Sequence, residues 1–554
     1  KIFVTDDNPR NENPRKIRSD IIKGCGKSAT SIGSRKKAIE NAMKELKSNE
    51  VLLIAGKGHE QTQDYGNKIL NFSDKEVIKK IINKKKFPFV KDCYQDFILR
   101  KAFNKNNIKN INYSGISINS KTLKKNNLFF AIRGKKTDGH NYIKDAIKNG
   151  ATKVIVSKKN NLFPNNKVIK VKNTFSALNN FAKVTRNNTH AQIIGITGSV
   201  GKTTLKNLTS FVIKNYGKVH FSPSSYNNKF GVPFSLSNLK KDIDFGVFEI
   251  GMNKKGEINT LSKIIRPNVA VITNISEAHF KNFDTLKDIA KAKAEIINNV
   301  SKNGTIILNK DDKFYNFLNN KAKKQKINII SFGIKKMADI FLLKTHRIKN
   351  YFRLKISVKK KIFYFDTLNN NNNFISNVLA CISILYALNL DLNKIKKKFI
   401  HFNIPEGRGD IKIVKKFKKK FKLIDESYNA NPLSMSSAIK NMNFHKRHGS
   451  MRKLVFLGDM LELGNKSKNL HKKLSKEINK SDIDSVFVYG KYIRETFNLL
   501  NKNKKGKIFN NLKEANNHFS NIIRNNDLLM VKGSNATGLN QFSKNIKKEY
   551  ISAL

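Results

Sequence analysis

Two hydrophobic rhythms alternate along this chain. Short, nearly unbroken apolar runs, such as Val51-Leu52-Leu53-Ile54-Ala55, Val154-Ile155-Val156, Ile193-Ile194-Gly195-Ile196, Phe245-Gly246-Val247-Phe248, Ala270-Val271-Ile272 and Ile306-Ile307-Leu308, stop at turn-forming or charged residues. Between them, 33–47, 74–82, 141–149, 203–214 and 285–298 carry apolar residues at helical spacing. Runs of that length predict strands buried on both faces, and the longer periodic stretches predict amphipathic helices. Strand and helix in alternation predict an α/β chain built on mostly parallel sheets. A charged junction at Asn83-Lys84-Lys85-Lys86-Phe87-Pro88 and later changes of pattern divide the chain into units at 1–86, 92–188, 189–402 and 403–554. The 554 residues are enough for three or four domains at about 150 residues each.

Composition changes this picture little. The net charge of +67 suggests nucleic acid, but Lys, Asn, Ile and Phe are abundant throughout, Trp is absent, and no stripe of basic residues stands out. Such lysines read as a solvated surface, so no nucleic-acid partner is expected. Lys415-Lys416-Phe417-Lys418-Lys419-Lys420 is read as the tip of a hairpin. Three scattered cysteines, Cys25, Cys93 and Cys381, make neither a disulfide framework nor a zinc site. With no apolar run of membrane-spanning length and no apolar leader, a cytoplasmic, monomeric protein is expected. The chain starts at Lys1 inside what already reads as the strand Ile2-Phe3-Val4, so a fragment of a longer protein is expected.

Chemistry concentrates where strands end. Thr197-Gly198-Ser199-Val200-Gly201-Lys202-Thr203-Thr204 follows an apolar run and opens a helical stretch. Glycines let the backbone approach a polyphosphate, loop N–H groups face it, Lys202 reaches its terminal phosphates, and Thr203 can ligate magnesium. Mg-ATP or Mg-GTP is the expected ligand. Glu249, a carboxylate ending the next strand, is the expected magnesium ligand. Asn274 and His279 follow the third strand at the same sheet edge. Asn227 and Asn228 sit in an asparagine-rich loop that is either a polar turn or part of a substrate site. Arg408, on the glycine-flanked turn Pro405-Glu406-Gly407-Arg408-Gly409, could reach a γ-phosphate. Lys532 lies at a late strand end. In the first unit, Arg10 and Glu60, on loops that include Gly56, could clamp an amino acid bearing both charges.

These motifs resemble the Mur ligases. Asp7-Asn8-Pro9-Arg10, Gly56-Lys57-Gly58-His59-Glu60 and Phe72-Ser73-Asp74 are similar to the end of the branch that adds the third peptide residue. From about 113 to 540 the chain is similar to the branch that adds D-alanyl-D-alanine, most specifically in Asp425-Glu426-Ser427-Tyr428-Asn429-Ala430-Asn431-Pro432. The resemblance implies a small uridine-binding α/β domain, a central P-loop ATPase domain and a Rossmann-like C-terminal domain, preceded by a partial Rossmann-like domain. It implies ATP and Mg2+ as cofactors, UDP-N-acetylmuramoyl-tripeptide and D-alanyl-D-alanine as substrates, and an acyl phosphate route to an amide. Ser120 and Lys121 would contact the UDP substrate, where the family commonly has Asp-Ser/Thr-Arg and this chain has Asn119-Ser120-Lys121. His279 and Lys293 would serve catalysis and metal binding, Lys293 as a carbamate. Asn274, Asn309, Asn377 and Asp425 would lie near the nucleotide, Asn429 and Asn431 near the incoming dipeptide, and Lys532 would be a further substrate contact. Arg10, Gly56 and Glu60 would hold diaminopimelate. Asn373-Phe374 replaces the usual His-Asn, Glu426 the second acid of the C-terminal motif, and Asn535 an arginine. A folylpolyglutamate-type ligase sharing the phosphate loop, and a basic nucleic-acid-binding scaffold without catalysis, are the competing readings.

Overall fold

The computed structural model describes residues 1–553 apart from 26–27, 47–49, 59, 85–87, 135–136, 159–163, 279, 448 and 549. The chain divides into two compact units, residues 1–97 with 108–111, and residues 98–107 with 112–554.

The first unit pairs Ile2–Val4 in parallel with Ala29–Ser31 and adds a hairpin of Thr62–Asp64 with Ile69–Asn71. Its helices are Pro14–Cys25, Arg35–Glu45 and Asp74–Lys84. Ser34 caps the second, accepting from the Lys37 N–H, and a buried bidentate pair of Arg35 with Asp74, at 2.8 and 2.7 Å, joins the second helix to the third. The strand expected at 51–55 is not formed. This segment has no ladder partner among the described residues, and Val51 and Leu53 are 91% and 84% exposed. An apolar run makes a strand only where a neighbouring strand takes its N–H and C=O groups. Residues 88–92 of the expected junction belong to the helix Pro88–Phe103.

The second unit starts with a parallel four-stranded sheet, Gly115–Ser117, Asn127–Phe130, Lys153–Val156 and Val168–Lys170. The helix Thr174–Asn187 then leads into a nine-stranded sheet ordered Val219–Phe221, Phe245–Glu249, Gln192–Thr197, Val269–Ile272, Thr305–Asn309, Asn328–Gly333, Ile340–Ile348, Tyr351–Val358 and Lys361–Thr367. Strands are parallel as far as Ile340–Ile348; Tyr351–Val358 then runs antiparallel to it, and Lys361–Thr367 antiparallel to Tyr351–Val358. Alternate residues enter two different cores: Ile194, Ile196, Val247, Val271 and Ile307 on one face, Ile193, Phe248, Ala270, Ile272 and Ile306 on the other. That double burial is why the strands read as continuous apolar runs.

A seven-stranded sheet completes the unit, in the order Lys505–Phe509, Ser485–Tyr489, Lys453–Gly458, Leu528–Lys532, Lys419–Glu426, Asp410–Lys416 and Tyr550–Ala553. The expected basic hairpin is present, with Phe417 and Lys418 at φ 54° and 57° as a two-residue turn requires. The helix expected at 285–298 is α-helical only over Leu286–Lys293 and tightens to 3-10 geometry over Ala294–Asn299.

Candidate active site

The phosphate loop sits at the carboxyl end of Gln192–Thr197 and feeds the helix Lys202–Ile213. Two of its glycines are required sterically. Gly198 has φ 146° and a Cβ there would lie 1.9 Å from the Thr273 hydroxyl, while Gly201 has φ 87° and its Cβ would meet the Asn377 side chain at 2.9 Å. Asn274 braces the loop from the third strand, its side chain accepting from Val200 N–H (2.9 Å) and donating to Val200 C=O (3.2 Å). Ser199 exchanges hydrogen bonds with Ser276. Asn309 supports this brace in turn, donating to Thr273 C=O at 3.0 Å.

Two lysines converge on one carbonyl. Lys202 Nζ donates to the Gly198 oxygen at 2.8 Å and Lys293 Nζ to the same oxygen at 3.0 Å. Burial lowers the Lys202 ammonium from its usual value, opposed by Glu249 and reinforced by Arg408. Lys293, 2% exposed, is pushed well below the ordinary lysine range, first by burial and then by Lys202. Glu249, 1% exposed, accepts from the Thr203 hydroxyl and the Asn227 amide, both at 2.7 Å. A buried carboxylate satisfied by neutral donors beside a threonine hydroxyl is an oxygen donor set that fits Mg2+. His279 lies outside the described residues.

The opposite wall comes from the C-terminal sheet. Arg408 stacks over Tyr428, its guanidinium 4.4 Å from the ring centroid, and both residues donate to Ser225 Oγ, at 3.2 and 3.0 Å. Lys532 Nζ bonds Glu426 at 3.1 Å and the Asn429 carbonyl at 3.2 Å. Between the walls lies a cavity of about 560 Å³ that is lined by residues of both, among them Lys202, Thr203, Glu249, Arg408, Asn429 and Lys532. Ser199, Val200, Gly201, Thr204, Asn227, Asn228, Asn377 and Asn431 also line it. A second cavity of about 620 Å³ adjoins this one and shares Phe374, Ile404 and Glu426 with it.

This is the arrangement of a phosphate-binding sheet edge faced by a second domain bearing an arginine and a lysine. Residues 196–385 match the Mur ligase middle domain, and 112–190 the Mur ligase family catalytic domain. The Mur ligase glutamate ligase domain matches twice, at 1–58 and at 411–535. A UDP-N-acetylmuramoyl-tripeptide–D-alanyl-D-alanine ligase of Rickettsia prowazekii is 34% identical over 432 residues, spanning 78% of this chain and 94% of the relative. The chain is a Mur ligase.

The Bacillus subtilis ligase of the same name is 30% identical over 378 residues, covering 68% of this chain and 80% of its own. Among solved structures, MurF from Acinetobacter baumannii aligns with TM-score 0.72 and 25% identity, over 82% of this Mur ligase and 98% of that chain. MurF from Thermotoga maritima in complex with ADP aligns with TM-score 0.66 and 25% identity, over 78% and 98%. In this Mur ligase several expected contacts are placed otherwise. Asp425 points away from the cavity into an ion pair with Lys547 at 2.5 Å, while its neighbour Glu426 faces the cavity, because successive strand side chains alternate. Asn274 and Asn309 brace the loop instead of lining the cavity. Thr197 is fully buried beneath it, its hydroxyl without a partner among the described residues. The Asn431 side chain caps the helix Pro432–Phe444. Phe374 is buried against Phe402, with ring centroids 6.1 Å apart.

Ser120 and Lys121 lie in the small domain, on a turn capped by Asn119, and do not line this cavity. In the first unit, Lys57 is buried and gathers Asp7, Asn8 and Glu60 within 3.0–3.3 Å. Gly56, at φ 111°, packs against Asp7, and Arg10 is exposed. Sequence reasoning missed Lys206, Ser225 and Glu426. Lys206 is one cation among the 108 Lys and Arg of the chain, and nothing but its place one helical turn after Lys202 could have marked it.

Proposed function

We propose that this Mur ligase joins D-alanyl-D-alanine to the terminal carboxylate of UDP-N-acetylmuramoyl-tripeptide at the expense of ATP, the last cytoplasmic step in making the peptidoglycan precursor. The observation that carries the reading is the single cavity in which the phosphate loop and Glu249 face Arg408, Asn429 and Lys532. The names of its relatives and the ADP-bound neighbour support it.

A carboxylate has no usable leaving group at neutral pH. Its oxygen attacks the γ-phosphorus, ADP leaves, and the amine of the dipeptide then displaces phosphate from the acyl phosphate. Loop N–H groups and Lys202 hold the phosphates, and Arg408, kept over the cavity by Tyr428 and Ser225, bears on the transferring group. Donors aimed at such developing charge are each worth about 2.7–4 kcal/mol. Thr203 and Glu249 would hold Mg2+, a role the family resemblance extends to His279, and the metal would neutralise phosphate charge. Burial pushes the Lys293 pKa down and so favours the neutral amine, which would add CO2 with loss of a proton; the carbamate would keep one N–H for the Gly198 carbonyl. Glu426 and Asn377 would meet the nucleoside, Lys532, Asn429 and Asn431 the dipeptide, Asn227 and Asn228 the tripeptide end, and Ser120 and Lys121 the uridine part.

The proposed layout is a UDP-substrate domain at 92–188, an ATP domain at 189–402 and a C-terminal ligase domain at 403–554. Residues 1–86 are the end of a tripeptide synthetase, in which Arg10, Gly56 and Glu60 served the amino acid diaminopimelate. The test is Lys202→Ala: amide formation falls by about three orders of magnitude, near 4 kcal/mol, with an unchanged circular dichroism spectrum. Near-normal ligation by this variant contradicts the assignment.

A further inference from the structure

We propose that Lys206 is a positioning residue that pins the loop 222–228 to the helix of the phosphate loop, so that Ser225 meets Arg408 and Tyr428 across the cleft. The inference rests on the ligase reading above, but its central observation is geometric. Lys206 lies four residues after Lys202, on the same face of the helix Lys202–Ile213. Its side chain is 0% exposed. Buried Lys453, Lys532 and Lys547 each reach a carboxylate, whereas Lys206 donates to two backbone carbonyls, Ser222 at 2.6 Å and Ser224 at 2.5 Å.

Those carbonyls belong to the loop that carries the cleft contacts. The loop is tied at its ends, by Ser222 N–H to Val247 C=O and by Gly251 N–H to Asn227 C=O. Between the ties Ser224 adopts φ 43°, an unfavourable conformation for serine that a surrounding framework must hold. Lys206 supplies that framework from inside. Immediately after the strained residue, Ser225 Oγ takes hydrogen bonds from Arg408 and Tyr428, and two residues later Asn227 donates to Glu249. Phosphate loop, carboxylate and arginine are thereby linked through one buried ammonium. Burial holds that ammonium down to about 8, with Glu249 opposing the shift and Arg408 adding to it.

The test combines steady-state phosphate release with hydrogen exchange. Lys206→Met lowers kcat by about a hundredfold, the scale of an ångström-sized misplacement, with KM for ATP within about twofold because Lys202 and the loop N–H groups remain. Lys206→Arg, which keeps the donors, recovers most of the loss. Ser225→Ala lowers kcat alone, and the double variant Lys206→Met, Ser225→Ala is no worse than the weaker single by more than about twofold. Amide exchange over 222–228 quickens in Lys206→Met without any substrate, a readout that stands even if the substrates are other than proposed. Multiplying effects, a raised KM for ATP at constant kcat, or unchanged exchange in a folded Lys206→Met protein overturns the proposal. If wild-type protein releases no phosphate with these substrates, the functional reading fails, and the exchange result alone decides the role of Lys206.

Discussion

One domain type occurs twice in this chain, and the two copies fare differently. In the copy at 411–535, the strand Leu528–Lys532 lies between Lys453–Gly458 and Lys419–Glu426, and all five of its residues are buried. In the copy at 1–58, the apolar run 51–55 near the corresponding end of the match has no strand beside it among the described residues, and Val51 and Leu53 face solvent. Leu-Leu-Met-Val and Leu-Leu-Ile-Ala differ little in propensity, so the difference comes from neighbours: β structure is bestowed by the surrounding sheet. The polar chemistry at the strand end survives better. Each copy buries a lysine just before a glycine, Lys532 against Glu426 and Lys57 against Asp7 and Glu60.

The largest effect that sharpens this contrast is functional. Lys532→Met should cost D-alanyl-D-alanine ligation about a thousandfold, near 4 kcal/mol, whereas Lys57→Met leaves that rate unchanged; equal losses would mean that both copies serve one reaction. Next is packing. Met530→Ala in the complete sheet should lower stability by about 3 kcal/mol and Leu53→Ala in the partial copy by less than about 0.5 kcal/mol, as read from urea unfolding followed by circular dichroism. A large cost for Leu53→Ala would break the comparison by showing that 51–55 is covered in solution.

The smallest effect is protonic. In the complete copy, buried His471 accepts from Met460 N–H through Nε2 and donates to Ser467 C=O through Nδ1, so it is held neutral, and burial lowers its pKa. Residues 1–58 contain no histidine. Because the folded pKa lies below the unfolded value near 6.5, the unfolded state binds more protons and stability falls as pH drops through that value. Thermal melts at pH 7.5 and 5.5 should show this loss and its reduction in His471→Gln.

Much of the fold was legible because double burial leaves a direct trace, as in Ile193–Ile196 and Phe245–Phe248, where neither face carries a polar side chain. The phosphate loop was legible because its glycines answer to geometry, the clash at Thr273 and the contact with Asn377. What escaped depended on direction or on partners. Asp425 and Glu426 are adjacent acids on a strand, and a one-residue change of register exchanges which of them meets the cavity. Asn274 and Asn309 stand at strand ends, as expected of ligand contacts, yet turn inward to hold the loop. Residues 51–55 had the composition of a strand and lacked the sheet. Lys206 was hidden by the abundance of lysine.

In the proposed reaction one cleft couples ATP cleavage to ligation of a dipeptide onto a UDP-linked tripeptide. Phosphate release and UDP-linked product should be followed together in the presence of Mg-ATP, with each substrate omitted in turn. One phosphate is expected per UDP-linked pentapeptide formed, and neither product when D-alanyl-D-alanine, tripeptide or ATP is left out. Phosphate release that continues without the tripeptide, or that yields no pentapeptide in the complete mixture, would contradict the proposed reaction.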